Sequence, residues 1–120
     1  HQLVAESDFG AGRIYAFNPS AAPHARDAAA QIAKALEPLG ITAMAKGGPG
    51  PDVGPIAAEG AAWAWLGQDG TDYFDLHHTP DDTLDKIDPA ALAQNTAAYA
   101  VFAYLAASAD GDFGSAPKAP

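Results

Sequence analysis

Short apolar runs broken by glycine and proline alternate along this chain with stretches whose apolar residues recur at helical spacing. Few folds accept that order. Leu3-Val4-Ala5 and Arg13-Ile14-Tyr15-Ala16-Phe17 flank the loop Asp8-Phe9-Gly10-Ala11-Gly12, and both read as strands. Between Pro23 and Glu37 the apolar positions Ala29, Ile32, Ala33 and Leu36 follow helical spacing, with Arg26, Gln31 and Lys34 left for solvent and Gly40 as the stop. Ile41 to Ala45 reads as a strand, followed by Lys46-Gly47-Gly48-Pro49-Gly50-Pro51, which cannot be helical. Asp52 is placed to cap a short helix running to about Glu59, ended by Gly60. Ala61-Ala62-Trp63-Ala64-Trp65-Leu66 has the length and aromatic content of a buried strand. Asp88-Pro89 then gives an N-cap followed by proline at the first helical position, and the last helix is expected to run to about Ala107. Its buried stripe is expected to hold Leu92, Thr96, Tyr99, Phe102, Ala103 and Ala106.

Strands and helices in this order predict an α/β layer structure, with a largely parallel sheet flanked by helices and ligands at the carboxyl ends of strands. The loops after Ala5 and after Leu66 both leave strands at that end. A chain of 120 residues suits one domain that buries very roughly two thirds of the surface exposed when unfolded. Residues 1–108 are read as that domain, and 109–120, rich in Gly and Pro, as a flexible tail.

The formal charge is -9, and between Asp69 and Asp88 seven aspartates face only Lys86. Such a field repels nucleic acid and attracts a divalent cation or a cationic amino terminus. Without cysteine, thiolate zinc sites, disulfides and cysteine nucleophiles are excluded. No apolar run approaches the ~20 residues of a membrane span. His1-Gln2-Leu3-Val4-Ala5 lacks the charged, apolar and small-residue regions of a signal peptide.

The stretch His77-His78-Thr79-Pro80-Asp81-Asp82-Thr83 sets two imidazoles beside two carboxylates. On residue chemistry alone it suits either a zinc site or a hydrogen-bonded loop ending in a helix cap. Asp8, just past a strand and near Gly10, is a candidate ligand or a turn former; Glu6 falls on the same face of an extended chain and is a supporting acid. Trp63, Trp65, Tyr73 and Phe74 suit a side-chain pocket or the core. Neither Ser7 nor Ser20 lies in a nucleophile-elbow sequence, which disfavours a serine hydrolase.

Three segments carry a resemblance: Glu6-Ser7-Asp8-Phe9-Gly10, Gly50-Pro51-Asp52-Val53-Gly54-Pro55, and Tyr73 through Pro89. In order and spacing they resemble the C-terminal part of the carboxypeptidase Q-like branch of the two-zinc exopeptidase family. The resemblance runs to about Ser108. It implies an α/β catalytic domain in which two zinc ions cleave a terminal peptide bond of a peptide or dipeptide through activated water. Asp8 then matches the carboxylate that completes one zinc site, and His78, in a His-Thr-x-x-Asp-Thr pattern, the imidazole that completes the other. His77 becomes a neighbouring or substrate-side residue, and Asp82 a loop-fixing or helix-capping acid.

The family's His-x-Asp motif, bridging Asp and Glu-Glu pair have no counterpart here. Glu6 and Glu59 are isolated, and His1 and His24 stand in no His-x-Asp setting. The resemblance therefore implies a fragment, inactive alone, whose general base and remaining ligands lie upstream in the same polypeptide. It also implies a secreted or periplasmic protein and leaves a homo-oligomer open. A non-catalytic interaction domain that keeps the peptidase fold is the alternative.

Overall fold

The computed structural model describes residues 1–115. Two strands, β1 (Ile14–Ser20) and β2 (Trp63–Gln68), pair antiparallel, with Phe17 opposite Leu66 and Ile14 opposite Gln68. Each is flanked by one further extended segment. Val4 makes a parallel bridge to Trp63 on the outer side of β2, and Ala43 a parallel bridge to Ala16 on the outer side of β1. The order across the layer is Val4, β2, β1, Ala43.

The α/β layering matches the expectation, but the largely parallel sheet does not. Two consecutive segments can run parallel in one sheet only if a crossover of about a dozen residues or more carries the chain back, and the stretch between Ala5 and Arg13 is too short for one. The chain therefore turns straight back, and β1 runs against both Val4 and β2. The expected strands at Leu3–Ala5 and Ile41–Ala45 reduce to single bridges. One consequence of the expected layout survives. The loops that follow Val4 and β2 leave from the same end of the layer, where Asp69 N donates to Arg13 O at 2.9 Å.

Helix α1 (Arg26–Leu36) buries Ala29, Ile32 and Leu36 and exposes Arg26, Gln31 and Lys34, as its periodicity predicts. Two short 3-10 turns extend it at either end, and Gly40, with φ of 80°, closes the second. Helix α2 (Gly54–Ala58) is a single short stretch. Asp52 does not cap it. Val53 occupies the cap position without a side-chain bond, and the N–H groups of Asp52 and Val53 both donate to Glu6. Helix α3 (Tyr73–Leu76) is one turn in the acidic loop, and α4 (Pro89–Ser108) crosses the layer. Asp88 caps α4 as expected, its carboxylate accepting from Ala90 N and Ala91 N.

The buried stripe of α4 is rotated from the expected one. Ala91, Gln94, Asn95, Ala98, Phe102 and Ala106 face inward, whereas Leu92 is 52% exposed and Thr96 and Ala103 face solvent. Two amides sit inside because backbone carbonyls receive them. Gln94 donates to Ile14 O and Leu39 O and accepts from Ile14 N, so its burial leaves no unpaired polar group.

Residues 109–115 are not the loose tail expected of them. Phe113 is 1% exposed and belongs to the core with Ile14, Phe17, Ile32, Leu36, Leu66 and Phe102. Its burial stabilises the fold by roughly 1.5–3 kcal/mol. Phe113 O accepts from Ala22 N, and Gly111 O from Gln2 Nε2. Residues 116–120 lie outside the described residues. No helix among the described residues is long and apolar enough to cross a membrane.

Candidate metal-ligand site

Asp8 and the histidine pair are 69 or more positions apart in sequence, and the fold brings them to one cleft. A cavity of about 700 Å³ lies at the end of the layer where the two loops emerge, and Asp8, His77, His78 and Asp82 all line it. Its size is that of a small-molecule or peptide-end site. Asp69, Asp72 and Asp88 add carboxylates to the lining, against the cations Arg13 and Lys86, so the cavity favours positive ligands.

Stacked rings join the two loops. Phe9, next to Asp8, stacks on Tyr73 with centroids 4.6 Å apart; Tyr73 lies 4.6 Å from His77, and His77 stacks on His78 at 3.7 Å. Gly70 admits this arrangement, since a Cβ there would stand 2.2 Å from the Phe9 ring. Burial pushes the Tyr73 phenol above its ordinary pKa, and the carboxylates of Asp8 and Asp82 push it the same way. Both acids therefore bear on one ring in the wall of the cavity.

The histidine loop is shaped by its threonines. Thr79 Oγ1 donates to Leu76 O at 2.7 Å and accepts from Asp81 N; Thr83 Oγ1 donates to Asp85 Oδ1 at 2.5 Å. Asp82 does not cap the 3-10 turn Leu84–Lys86, whose cap position is held by Thr83. Asp82 instead lines the cavity. His78 stands at φ of 59°, alone among the described non-glycine residues in the left-handed region.

Glu6 departs from its expected place. It does not line the cavity but turns to the Gly-rich loop, where Oε2 accepts from Asp52 N at 2.7 Å and from Val53 N at 2.9 Å. Oε1 is buried without a partner among the described residues. Of the four aromatics considered for a pocket, Tyr73 lines the cavity and Phe74 is 75% exposed beside it. Trp65 packs instead against Gly47 and Gly67 and edge-on to Tyr15, and Trp63 sits in β2.

The donor chemistry suits zinc, but only in part. Asp8 and His78 are exposed donors in one cleft, of the oxygen and nitrogen type that zinc binds. Among the described residues no group of three or more His, Cys, Asp or Glu could hold a metal ion.

Sequence reasoning missed the residues beneath Asp8. Gln68, the last residue of β2, is 6% exposed, and Asn95 of α4 is 8% exposed. Both hydrogen-bond to the loop that carries Asp8. The sequence carried no signal for them: Asn95 is not among the residues of α4 expected to face inward, and Gln68 lies beyond the apolar run that marked β2.

No family model matches the chain. Among curated proteins it is 31% identical to carboxypeptidase Q of Bos taurus over 107 residues, and 30% identical to that of Mus musculus over 110 residues. These matches take in 89% and 92% of this chain but 23% of each relative, so the chain spans less than a quarter of their length. Among solved structures it is similar to a peptidase M28 precursor from Shewanella amazonensis, with a TM-score of 0.89 and 49% identity, covering 98% of this chain and 27% of that one. In sequence and in fold, the chain is a partial-length relative of the carboxypeptidase Q and M28 peptidases.

Proposed function

We propose that this chain is the C-terminal part of the catalytic domain of a two-zinc exopeptidase, giving Asp8 to one metal and His78 to the other. The observation that carries the reading is the meeting of these two distant donors in one acidic cavity, with no group of three ligand side chains among the described residues to complete a site. The general base and the remaining ligands then come from the rest of the polypeptide, and the isolated chain is inactive. The relatives' greater length supports this division.

Zinc, when bound, polarises a scissile carbonyl and lowers the pKa of water. The chain's own residues do the rest of what falls to them. Asp8 offers an anionic oxygen from a loop, and His78 a neutral imidazole nitrogen. His77, between Tyr73 and His78 in the ring stack, fixes the imidazole plane of its neighbour and forms part of the wall met by substrate. Asp72, Asp82 and Asp88 bias the cleft toward cations, which include the free amino group of a peptide or dipeptide. A secreted or periplasmic location belongs to the same proposal.

The test compares the full-length polypeptide with the 120-residue chain, measuring zinc content and hydrolysis of short peptides with free or blocked ends. The proposal expects two zinc ions and cleavage of free-ended peptides by the full-length protein alone. A full-length protein that binds no zinc and cleaves nothing would support a non-catalytic interaction domain instead. Turnover by the short chain would contradict the division of the site.

A further inference from the structure

The loop bearing Asp8 carries no secondary structure of its own, yet buried amides hold it from beneath on both sides of the aspartate. Ser7 Oγ donates to Gln68 Oε1 at 3.1 Å, and Gln68 Nε2 donates to Gly10 O at 3.1 Å. The same nitrogen donates to Asn95 Oδ1 at 2.7 Å, and Asn95 Nδ2 donates in turn to Gly12 O at 2.9 Å and to Ala91 O of its own helix at 2.8 Å. One residue earlier, the Tyr99 hydroxyl donates to Glu6 O. The loop is therefore pinned by its backbone at residues 6, 10 and 12 and by the side chain of residue 7, and Asp8 is the ionisable residue between the pins.

We propose that Gln68 and Asn95 are positioning residues for the Asp8 carboxylate, acting through the backbone of residues 7–12; this rests on the reading of Asp8 as a metal ligand. Their geometry has a second consequence. Gln68 ends β2 and directly precedes the loop to His78, so one buried side chain ties the Asp8 loop to the root of the histidine loop. A close approach seals the junction: a Cβ on Gly12 would stand 2.0 Å from Asp69 O. Asn95 anchors the pair to α4, the longest helix, so the loop inherits the rigidity of the core. Amides suit this task because each offers a donor and an acceptor without the cost of a buried charge.

The experiment uses the full-length polypeptide bearing Gln68→Met, which keeps side-chain length but removes the amide. In metal-free protein, chymotrypsin cleavage after Phe9, within the Asp8 loop, is compared with cleavage after exposed Phe74 in the other loop. Loss of the two hydrogen bonds from Gln68 to the loop, at Ser7 and Gly10, predicts cleavage at Phe9 at least roughly 10-fold faster, with Phe74 unchanged. In the same variant, competition with a chelator should show one of two zinc ions bound about 10- to 100-fold more weakly and the other unaltered. Equal cleavage at Phe9 in variant and wild type overturns the proposal, as does equal weakening of both metals.

If Gln68→Met unfolds, both cleavages accelerate together, and Ser7→Ala then decides. Ser7 is exposed, so its loss spares the core; cleavage at Phe9 alone about 3-fold faster supports the proposal, and no change overturns it. A wild-type protein without zinc overturns the metal reading instead. That failure is distinct, because cleavage at Phe9 is read without metal.

Discussion

The imidazole of His77 lies stacked on that of His78, centroids 3.7 Å apart and planes 22° from parallel, while the His78 backbone sits at φ of 59°. A side chain in the left-handed region costs about 1–2 kcal/mol, and strain of this kind gathers at functional sites. The ring stack thus holds His78 in a conformation that its backbone disfavours. His78→Gly and His78→Ala both remove the ring, but only glycine relieves the backbone. We expect His78→Gly to be more stable than His78→Ala by about 1 kcal/mol in urea unfolding. Equal stability would mean that the backbone at residue 78 is not strained.

Gly50 and Gly48 lie in the same loop but under different constraints. Gly50 has φ of 90°, and a Cβ there would stand 1.7 Å from Glu6 Oε1, whereas a Cβ on Gly48 would meet nothing within 4 Å. Gly50→Ala must displace the carboxylate that holds Asp52 N and Val53 N, and should cost roughly 1–3 kcal/mol. Gly48→Ala should leave stability unchanged or raise it by up to about 1 kcal/mol. Thermal unfolding of the two variants checks this, and the opposite ranking would refute the role given to Glu6.

Phe113 is the buried anchor of a segment whose composition promised none. Phe113→Ala should destabilise the protein by about 3–5 kcal/mol, as for other large-to-small changes in a core. His24→Ala, which removes only the exposed contact to Asp112, should cost less than about 1 kcal/mol. Denaturant midpoints measure both. A Phe113 effect as small as that of His24 would mean that residues 109–115 are loose after all.

These contrasts show where the sequence could be read and where it could not. Strands β1 and β2, helix α1 and the Asp88 cap follow from local signals: period, branching, and an Asp-Pro pair at a helix start. The cleft was legible in the same way, because a strand with its following loop can be recognised twice, at Ala5 and at Leu66. The sheet direction depends on how much chain joins Val4 to β1, a length available in the sequence but outweighed by the alternation of elements. Gln68, Gln94 and Asn95 were illegible for a different reason. Polar residues are assigned to solvent unless a partner is known, and their partners include backbone carbonyls up to 83 positions away. Phe113 was hidden by its neighbours, since Asp112 and Gly114 mark a turn whatever lies between them. Glu6 was read by strand alternation, which fails where the chain leaves the sheet.

Two acids beside the cavity respond to pH in a known direction. Asp69 is held below its ordinary value of 3.8 by the Thr71 hydroxyl and then the Thr71 N–H; Asp85 is held below it by the Thr83 hydroxyl and then by Lys86. Because the folded pKa values are depressed, the stabilisation they give is present above the unfolded value and is lost as pH falls through the folded one. The two loops should therefore loosen only below about pH 3.8, and both acids, being exposed, contribute modestly. In carboxyl-detected NMR titrations Thr71→Val should bring the Asp69 midpoint back toward 3.8 and leave Asp85 alone. An Asp69 midpoint unmoved by that change would contradict the assigned cause.

The division of two metals between Asp8 and His78 is tested most directly by zinc binding to three forms of the full-length polypeptide: wild type, Asp8→Ala and His78→Ala. Wild type should bind two ions, and each variant should hold one of them normally and the other at least about 10-fold more weakly, as expected when a direct ligand is lost. The weakened ion should differ between the two variants, as metal-substituted spectra can show. Two ions retained at wild-type affinity in both variants would contradict the account.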